Sequence, residues 1–309
     1  MSISPTCQLQ PYADSPKSRE ELVRWLVATE GSPVEPAWWH ARLKHWWDEN
    51  PWSAFVPERG WLLTSGSRVV GFQGLIPAGY SVLGEQKQAC ISSTWRVEPE
   101  HRNQSVAMLM QLRRMGAGRL LIDSTPTEEV QSLLQKTGWV AQREVTQFIV
   151  VPQWLTRAKL PQEKRVTMNL DEVRSIRSPF VSPHGVERWI TPEYLRWYAR
   201  SVTRKHVFAG VVDADGCLSS YVFLTPSSLG SWTEVDHFST ENREELHALI
   251  AAIRGKWWIK LHAFPGDETW KGARTLYQRP VQVCHHFILP PVMQEVPRRT
   301  VLAEGDWGL

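Results

Sequence analysis

One stretch of the chain, residues 97–107, combines residue types that could bind a phosphate group. It reads Val-Glu-Pro-Glu-His-Arg-Asn-Gln-Ser-Val-Ala, so Arg102 supplies a positive charge and Ser105 and Ala107 are small. It follows a predicted strand and opens a predicted helix, where backbone N–H groups lack partners within the helix. Those groups and the helix dipole attract phosphate oxygens. The stretch, here called the phosphate loop, is therefore predicted to bind a pyrophosphate.

Other side chains have types suited to proton transfer or to contact with a reacting group. Ser93 lies on the predicted strand before the phosphate loop, where it either contacts a reacting carbonyl or amine or is an ordinary strand residue facing water. His40 and His45 lie on a tryptophan-rich helix, as candidate bases or as surface residues. His237 follows Asp236 in the second half of the chain and is a candidate for contact with an acceptor.

The composition favours a globular protein of two domains. The chain has 309 residues, 42% of them hydrophobic and 22% charged, which is enough for two cores. The net charge of +3 arises from scattered rather than clustered basic residues, so we expect no nucleic-acid partner. Seven of the 17 tryptophans fall within the first 61 residues. They either pack helices onto a sheet or line an acceptor or acyl pocket.

The cysteines and the N-terminus predict a cytoplasmic protein without a metal. Cys7, Cys90, Cys217 and Cys284 are far apart and form no C-x-x-C pair, so we expect reduced thiols and no zinc site. The first 14 residues have no apolar core typical of a signal peptide. No apolar run approaches the ~20 residues that span a bilayer, so we expect no membrane partner.

Hydrophobic spacing and turn residues place the phosphate loop in the first half of the chain. Residues 1–17 predict a flexible arm and residues 18–151 a first domain. Ser65-Gly66-Ser67 is a hairpin turn between two strands. The predicted elements before residue 124 are helices over 17–29, 36–50 and 105–115 and strands over 61–64, 69–72, 88–97 and 119–123.

The next helix carries start and stop signals. Thr125-Pro126-Thr127-Glu128 predicts a capping box with proline at the first helical position. Lys136-Thr137-Gly138 predicts a glycine-capped end, and residues 145–151 a closing strand.

The second half repeats the order of the elements of the first. Residues 152–183 are polar and predict a connector, and residues 184–309 a second domain. Asp213-Ala214-Asp215-Gly216 is the turn of its hairpin. The predicted elements are helices over 191–201 and 241–254 and strands over 207–212, 218–224, 232–236, 258–264 and 281–289, followed by an irregular tail. Both halves therefore predict an α+β fold, each with a mixed, mostly antiparallel sheet flanked by helices.

The phosphate loop resembles the acetyl-coenzyme A loop of the GNAT (GCN5-related N-acetyltransferase) superfamily. Arg102, Ser105 and Ala107 fall on the family's [RQ]-x-x-G-x-[GA] positions, with serine in place of the first glycine. Arg68-Val69-Val70-Gly71-Phe72 is similar to a family strand, and residues 127–139 to a family helix that ends in a glycine-aromatic corner. Together these cover roughly residues 20–151.

The resemblance implies two tandem GNAT-like domains, of which only the first binds a donor. At the place of a second phosphate loop, residues 236–245 have no glycine or alanine pair and contain Glu241, Glu244 and Glu245. These carboxylates would repel a pyrophosphate, so the second domain is expected to be degenerate. The donor implied is acetyl-coenzyme A, another acyl-coenzyme A, or the phosphopantetheine of an acyl carrier protein. The residues expected to bind it are Val97, Arg102, Asn103, Gln104, Ser105, Val106, Ala107 and Thr127.

The two catalytic residues usual in this family do not map onto the sequence. The strand before the phosphate loop, Cys90 to Arg96, has no carboxylate, and Leu134 occupies the place of the expected tyrosine. Three options stay open. The amine arrives neutral and needs only positioning; a base comes from elsewhere, for example His40, His45 or Glu98; or the site binds a thioester without turning it over.

The implied function is transfer of an acyl group from a coenzyme A or carrier-protein thioester to a small-molecule amine, or to a hydroxyl. The catalytic candidates are Ser93, His40 and His237. A transferase of the same fold that uses aminoacyl-tRNA and a non-catalytic thioester-binding scaffold are the alternatives.

Overall fold

The computed structural model describes residues 7–31, 33–82, 85–115, 118–123, 126–150, 159–177, 186–226, 232–240, 242–253, 258–263 and 275–288. In this part of the chain the helices are α1 (Pro16–Thr29), α2 (Pro36–Leu43), α3 (Ser105–Met115), α4 (Glu128–Lys136), α5 (Pro192–Ala199) and α6 (Arg243–Ala252). The strands are β1 (Cys7–Pro11), β2 (Gly60–Ser65), β3 (Arg68–Val82), β4 (Glu85–Val97), β5 (Leu120–Asp123), β6 (Val140–Val150), β7 (Lys164–Thr167), β8 (Ser175–Ile176), β9 (Val186–Arg188), β10 (Val207–Asp213), β11 (Cys217–Pro226), β12 (Trp232–Ser239), β13 (Trp258–Ala263) and β14 (Thr275–Ile288).

The chain divides into two compact units. The first contains the described residues of Met1–Tyr80, Gln86–Val140 and His286–Val296, and the second those of Ser81–Glu85, Ala141–His285 and Pro297–Leu309. Each unit has a mixed, mostly antiparallel sheet with helices, so the α+β expectation is confirmed.

The sheet of the first unit has the strand order β1-β2-β3-β4-β5 followed by the end of β14. β1 and β3 both pair antiparallel with β2, and β4 pairs parallel with β5. The end of β14 pairs antiparallel with β5. The hairpin predicted at Ser65-Gly66-Ser67 is present, and Gly66 has a φ of +62°, a left-handed conformation that glycine adopts readily.

Helices cover both faces of this sheet. On one face, Leu109 and Leu112 of α3 and Leu134 of α4 pack with sheet residues such as Leu75 and Leu121.

The tryptophan-rich segment begins with α2 and continues as a wider helical turn over Lys44–Asp48. Trp39, Trp46 and Trp47 are almost wholly buried, and the indole N–H of Trp47 donates to the Leu75 carbonyl at 2.8 Å. These three tryptophans therefore serve the core.

The sheet of the second unit has the order β14-β6-β13-β12-β11-β10-β7. β12 and β13 pair parallel, like β4 and β5, and α6 follows β12 as α3 follows β4. Its core combines strand residues such as Val211 and Val222 with Leu246, Leu249 and Ile250 of α6. The order hairpin, strand, helix and strand is thus present in both units, and the segment between β13 and β14 lies outside the described residues.

Long-range pairing produces strands that the sequence analysis missed, among them β1, β7 and β8. Residues 7–11 lie in the stretch predicted as a flexible arm (1–17), yet they form β1 along the edge of β2, and α1 begins at Pro16. In the predicted connector (152–183), β7 pairs with β10 and β8 pairs with β11. Strands at a sheet edge can be short and polar, because one side of the backbone faces away from the sheet.

The predicted capping box at Thr125 is wrong. The N-cap of α4 is Thr127 and the helix begins at Glu128, so Pro126 lies before the helix and not at its first position. Thr125 itself lies outside the described residues. The predicted end is present: Gly138 has a φ of +86° and its N–H donates to the Gln135 carbonyl.

Candidate functional site

The phosphate loop connects the end of β4 to the start of α3. Pro99–Gln104 forms a turn of 3-10 helix, and the α-helix begins at Ser105, whose N–H donates to the carbonyl of Arg102. The side chains of Arg102, Asn103, Val106 and Ala107 are exposed, and those of Gln104 and Ser105 are half-buried. The structure therefore presents the predicted loop residues at a helix N-terminus on the surface of the first unit.

Glu98 fixes the start of the phosphate loop. Its carboxylate accepts from the Arg68 guanidinium at 2.8 and 2.9 Å and from the Trp25 indole N–H at 3.2 Å. Its backbone N–H donates to the Val70 carbonyl at 2.9 Å. Glu98, a candidate base, thus ties the loop to α1 and β3, and its contacts point to a positioning role.

A cysteine–histidine contact links β1 to the phosphate loop. The thiol sulfur of Cys7 on β1 lies 3.3 Å from Nδ1 of His101 within the 3-10 turn, and both side chains are partly buried. The edge strand β1, which the sequence analysis missed, therefore supports the loop.

The start of α4 is electrostatically linked to the phosphate loop. Hydrogen bonds from its own backbone N–H and from the Thr127 hydroxyl lower the pKa of Glu129, and the Arg102 guanidinium lowers it further. Thr127, one of the predicted donor-binding residues, thus shares an electrostatic environment with Arg102. An anion at Arg102 would therefore be attracted by the guanidinium and repelled by the Glu129 carboxylate.

β4 contains an irregularity at Thr94. Thr94 is the only non-glycine residue of the described chain with a positive φ, +52°. Cys90 and Trp95 both pack against the cluster formed with α3 and α4, although residues five apart on a regular strand face opposite sides. The strand therefore bulges at Thr94, and a bulge releases backbone groups from the ladder.

The parallel pairing of β4 with β5 is described as far as Ser92 opposite Asp123. β4 then runs on through the bulge to Val97. Ser92 and Asp123 are both buried. Sequence reasoning missed Asp123, because only the pairing of the strands brings it next to β4. The signal available was a single aspartate at the end of a buried apolar strand.

The predicted catalytic candidates lie in different places. Ser93 is buried on β4, with its hydroxyl oxygen 3.4 Å from that of Thr94. His40 is half-buried, and its Nε2 lies 3.1 Å from the Glu20 carboxylate. His45 is buried, with Nδ1 3.7 Å from the Glu49 carboxylate. The backbone of His237 pairs with Phe223 in the second unit, and its side chain lies outside the described residues. The structure does not assemble these four into one site.

The turn before α6 in the second unit differs from the phosphate loop in its charges. Asn242 caps α6, and its side-chain oxygen accepts from the Glu245 N–H at 2.9 Å. The Glu245 carboxylate is buried, where it accepts from Lys164 at 2.5 Å and from the hydroxyls of Ser219 and Ser220 at 2.8 and 2.5 Å. The expectation that Glu245 presents a repelling charge is therefore wrong, whereas Glu244 is exposed as expected. Glu241 lies outside the described residues.

Two further findings concern the described residues. No group of three or more histidine, cysteine, aspartate or glutamate side chains could hold a metal ion, and no helix has the length and apolarity to cross a membrane. Burial raises the pKa of the Cys90 thiol to about 12, so this cysteine stays protonated at neutral pH.

No protein-family model and no curated sequence matches the chain. Solved structures of several proteins share its fold. A protein of unknown function from Enterococcus faecalis, described as a probable N-acyltransferase, matches with a TM-score of 0.65 and 10% identity, over 91% of this chain and 72% of that chain. A GCN5-related N-acetyltransferase from Anabaena variabilis matches with a TM-score of 0.64 and 12% identity, over 91% and 72%.

A GCN5-related N-acetyltransferase from Kribbella flavida matches with a TM-score of 0.61 and 14% identity, over 93% of this chain and 72% of that chain. Identities this low show a shared fold. The chain therefore has the fold of the GNAT superfamily, as the resemblance of its phosphate loop implied.

Proposed function

We propose that the protein transfers an acyl group from a coenzyme A or acyl-carrier thioester to an amine, or to a hydroxyl, of a small molecule. The observation that carries the proposal is the phosphate loop at the junction of β4 and α3, which follows a strand that bulges at Thr94. A thioester donor needs a site for its phosphates and hydrogen-bond partners for its pantetheine arm, and the loop and the bulge would supply them.

The phosphate loop would hold the phosphates of the donor. A helix N-terminus offers N–H donors and a partial positive charge, and Arg102 adds a full charge on an exposed side chain. Serine at position 105 keeps the approach to the backbone open, because its side chain is small. Glu98, anchored by Arg68 and Trp25, holds the loop in place at the end of β4.

The bulge at Thr94 would orient the thioester. Backbone groups released from a ladder can hydrogen-bond to a pantetheine arm or to the reacting carbonyl. A carbonyl held by such a donor develops negative charge during attack, and the fixed N–H group stabilises it. Positioning of an amine against this carbonyl contributes to the rate without a change in protonation.

Turnover separates this proposal from a scaffold that only binds. Purified protein is mixed with acetyl-coenzyme A and a panel of primary amines, and release of the coenzyme A thiol is followed with a thiol reagent. The proposal expects release that depends on an amine, together with an acetylated amine detected by mass spectrometry. Donor binding without any release would favour the scaffold.

The choice of donor is tested in the same assay. An acetylated acyl carrier protein replaces acetyl-coenzyme A in one series, and an aminoacyl-tRNA in another. The net charge of +3 without a basic cluster in the sequence argues against the tRNA. Transfer from aminoacyl-tRNA alone would contradict the proposal.

A further inference from the structure

The outer side of α3 combines apolar and basic side chains next to the phosphate loop. Val106 and Met110 lie one helical turn apart and are 46% and 38% exposed. Arg113 and Arg114 follow one turn later and are also exposed. The opposite side of α3 packs on the sheet. These four exposed side chains are called the α3 face.

The apolar part of the α3 face is unusual for this surface. Among the described residues, five large apolar side chains are exposed, and the other three, Phe55, Met168 and Val202, lie in three different loops. Single exposed apolar side chains need no explanation, whereas adjacent ones beside a functional loop indicate a binding surface. Val106 and Met110 are adjacent in this way.

The far end of the α3 face is basic. α3 contains no acidic residue, and Arg113 and Arg114 lie in its last turn. The end of α4 lies beside Arg113, because a side chain at Gly138 would begin 3.8 Å from the guanidinium. Lys136, exposed in the last turn of α4, therefore adds a third cation to this end.

Acidic residues lie at the other end, near the phosphate loop. Glu128 and Glu129 are in the first turn of α4, and Glu129 interacts with Arg102. α4 thus starts near Arg102 and ends near Arg113, so it runs alongside α3 in the same direction. The charge changes from mixed at the phosphate loop to basic about 12 Å further along α3, the length of eight helical residues.

A donor carried by a protein would have to cover this region. In an acyl carrier protein, the phosphate of the phosphopantetheine is bonded directly to a serine of the carrier. If the phosphate loop binds that phosphate, the surface of the carrier around its serine must lie on the residues next to the loop. In coenzyme A the same phosphate leads to a nucleotide, which needs no contact surface of this length.

We propose that the α3 face is the docking surface for an acidic acyl carrier protein, an inference that rests on the proposed function. Carboxylates of the carrier pair with Arg113, Arg114 and Lys136, and an apolar side chain of the carrier packs on Val106 and Met110. Arginine and methionine are enriched in protein interfaces. Complementary charges also speed association and select against partners of the wrong charge.

Docking brings the acyl group to the site on the arm of the carrier. The acceptor nitrogen forms a bond to the thioester carbonyl carbon, and the carbon–sulfur bond breaks with its electron pair going to sulfur. A proton from the amine ends on that thiolate. The thiol stays bonded to the carrier, which then dissociates from the α3 face.

The experiment measures binding, so that it does not depend on knowing the acceptor. A bacterial acyl carrier protein is loaded with an acetylated phosphopantetheine in which a stable amide replaces the thioester. Fluorescence anisotropy of the labelled carrier gives its Kd for the full-length protein. The double variant Arg113→Glu, Arg114→Glu should weaken binding about tenfold or more, because two attractive charge pairs become repulsive. Added salt should weaken binding to the wild type more than to this variant.

Met110→Glu tests the apolar part of the α3 face. It places a carboxylate against the acidic carrier and should weaken binding about tenfold. Met168→Glu changes an exposed methionine of the second unit, and Arg24→Glu changes an exposed arginine of α1. Both are matched controls and should bind the carrier as the wild type does. Thermal unfolding checks that each variant is folded.

Calorimetry with coenzyme A separates this inference from the proposed function. All variants should keep the wild-type affinity for coenzyme A. A wild type that binds neither donor would contradict the proposed function itself. Coenzyme A binding without carrier binding, or carrier binding that the α3 variants leave unchanged, would overturn the docking surface. So would weaker coenzyme A binding by Met110→Glu, which would assign the α3 face to the nucleotide, or binding of a tRNA that the same variants abolish.

Discussion

The Lys164 ammonium lies 2.5 Å from a carboxylate oxygen of Glu245 in the second unit, where the side chains are 9% and 1% exposed. Lys164 stands on β7 and Glu245 in the first turn of α6, so the pair joins a strand from the predicted connector to this helix. The carboxylate also accepts from Ser219 and Ser220. These contacts make the turn before α6 a structural element of the core, unlike the exposed phosphate loop.

Removal of one partner of this pair should destabilise the protein strongly. Lys164→Met leaves the Glu245 charge buried without its cation, which costs about 3–5 kcal/mol. Urea denaturation measures the free energy of unfolding. Arg165→Met is the matched control on the next residue of β7, since its ion pair with Glu172 is exposed, and it should change nothing measurable. An equal loss in both variants would contradict the structural role of Lys164.

The bulge at Thr94 should be strained. A left-handed conformation costs a non-glycine residue about 1–2 kcal/mol, and glycine avoids this cost. Glycine has a greater conformational entropy in the unfolded chain, which offsets part of this gain. Thr94→Gly should therefore raise the free energy of unfolding by about 1 kcal/mol. Ser92→Gly, on the regular part of β4, should lower it. A lower stability for Thr94→Gly would show that the threonine side chain is needed there.

The charge of Glu129 should weaken donor binding. Its pKa is lowered from the usual 4.5, so the carboxylate stays ionised at neutral pH, and it interacts with Arg102. Glu129→Gln should tighten the binding of coenzyme A about twofold to fivefold at low salt. This change in affinity corresponds to the free energy of interaction of an exposed charge pair. The effect should fade at high salt. Glu128→Gln is the control on the same helix, and an equal gain there would show a general charge effect.

Much of the fold could be predicted from local signals. The hairpin at Ser65-Gly66-Ser67, the helix beginning at Ser105 and the hairpin at Asp213–Gly216 depend on turn residues and on apolar spacing within a few positions. The junction of strand, turn and helix at residues 97–107 could be predicted for the same reason, since its residues are contiguous in the sequence. Such features can be predicted without knowing which strands pair.

Other features depend on contacts between distant residues. β1 was missed because a short edge strand has few apolar residues, and the hydrogen bond partners of Cys7–Pro11 lie more than 45 residues away. The pairing of Ser92 with Asp123 follows from strand order and register, neither of which is visible in either segment alone. The positive φ of Thr94 had no sequence signal, because threonine is typical of regular strands.

Ser105→Glu tests the phosphate loop at its first small position. The longer acidic side chain would lie at the N-terminus of α3, where backbone N–H groups should face phosphate oxygens. Its charge should weaken coenzyme A binding about tenfold or more. Ser105→Gly restores the residue usual in the GNAT loop and should bind as well as the wild type. Thermal unfolding of both variants checks that the fold is intact.

The number of donor sites tests the central claim most directly. Isothermal titration of the purified protein with coenzyme A should give one site per chain, located in the first unit. Ser105→Glu should lose that site, and Glu244→Gln at the corresponding turn of the second unit should keep it. Absence of binding, two sites per chain, or a single site that survives Ser105→Glu in the folded protein would contradict a donor site at the phosphate loop.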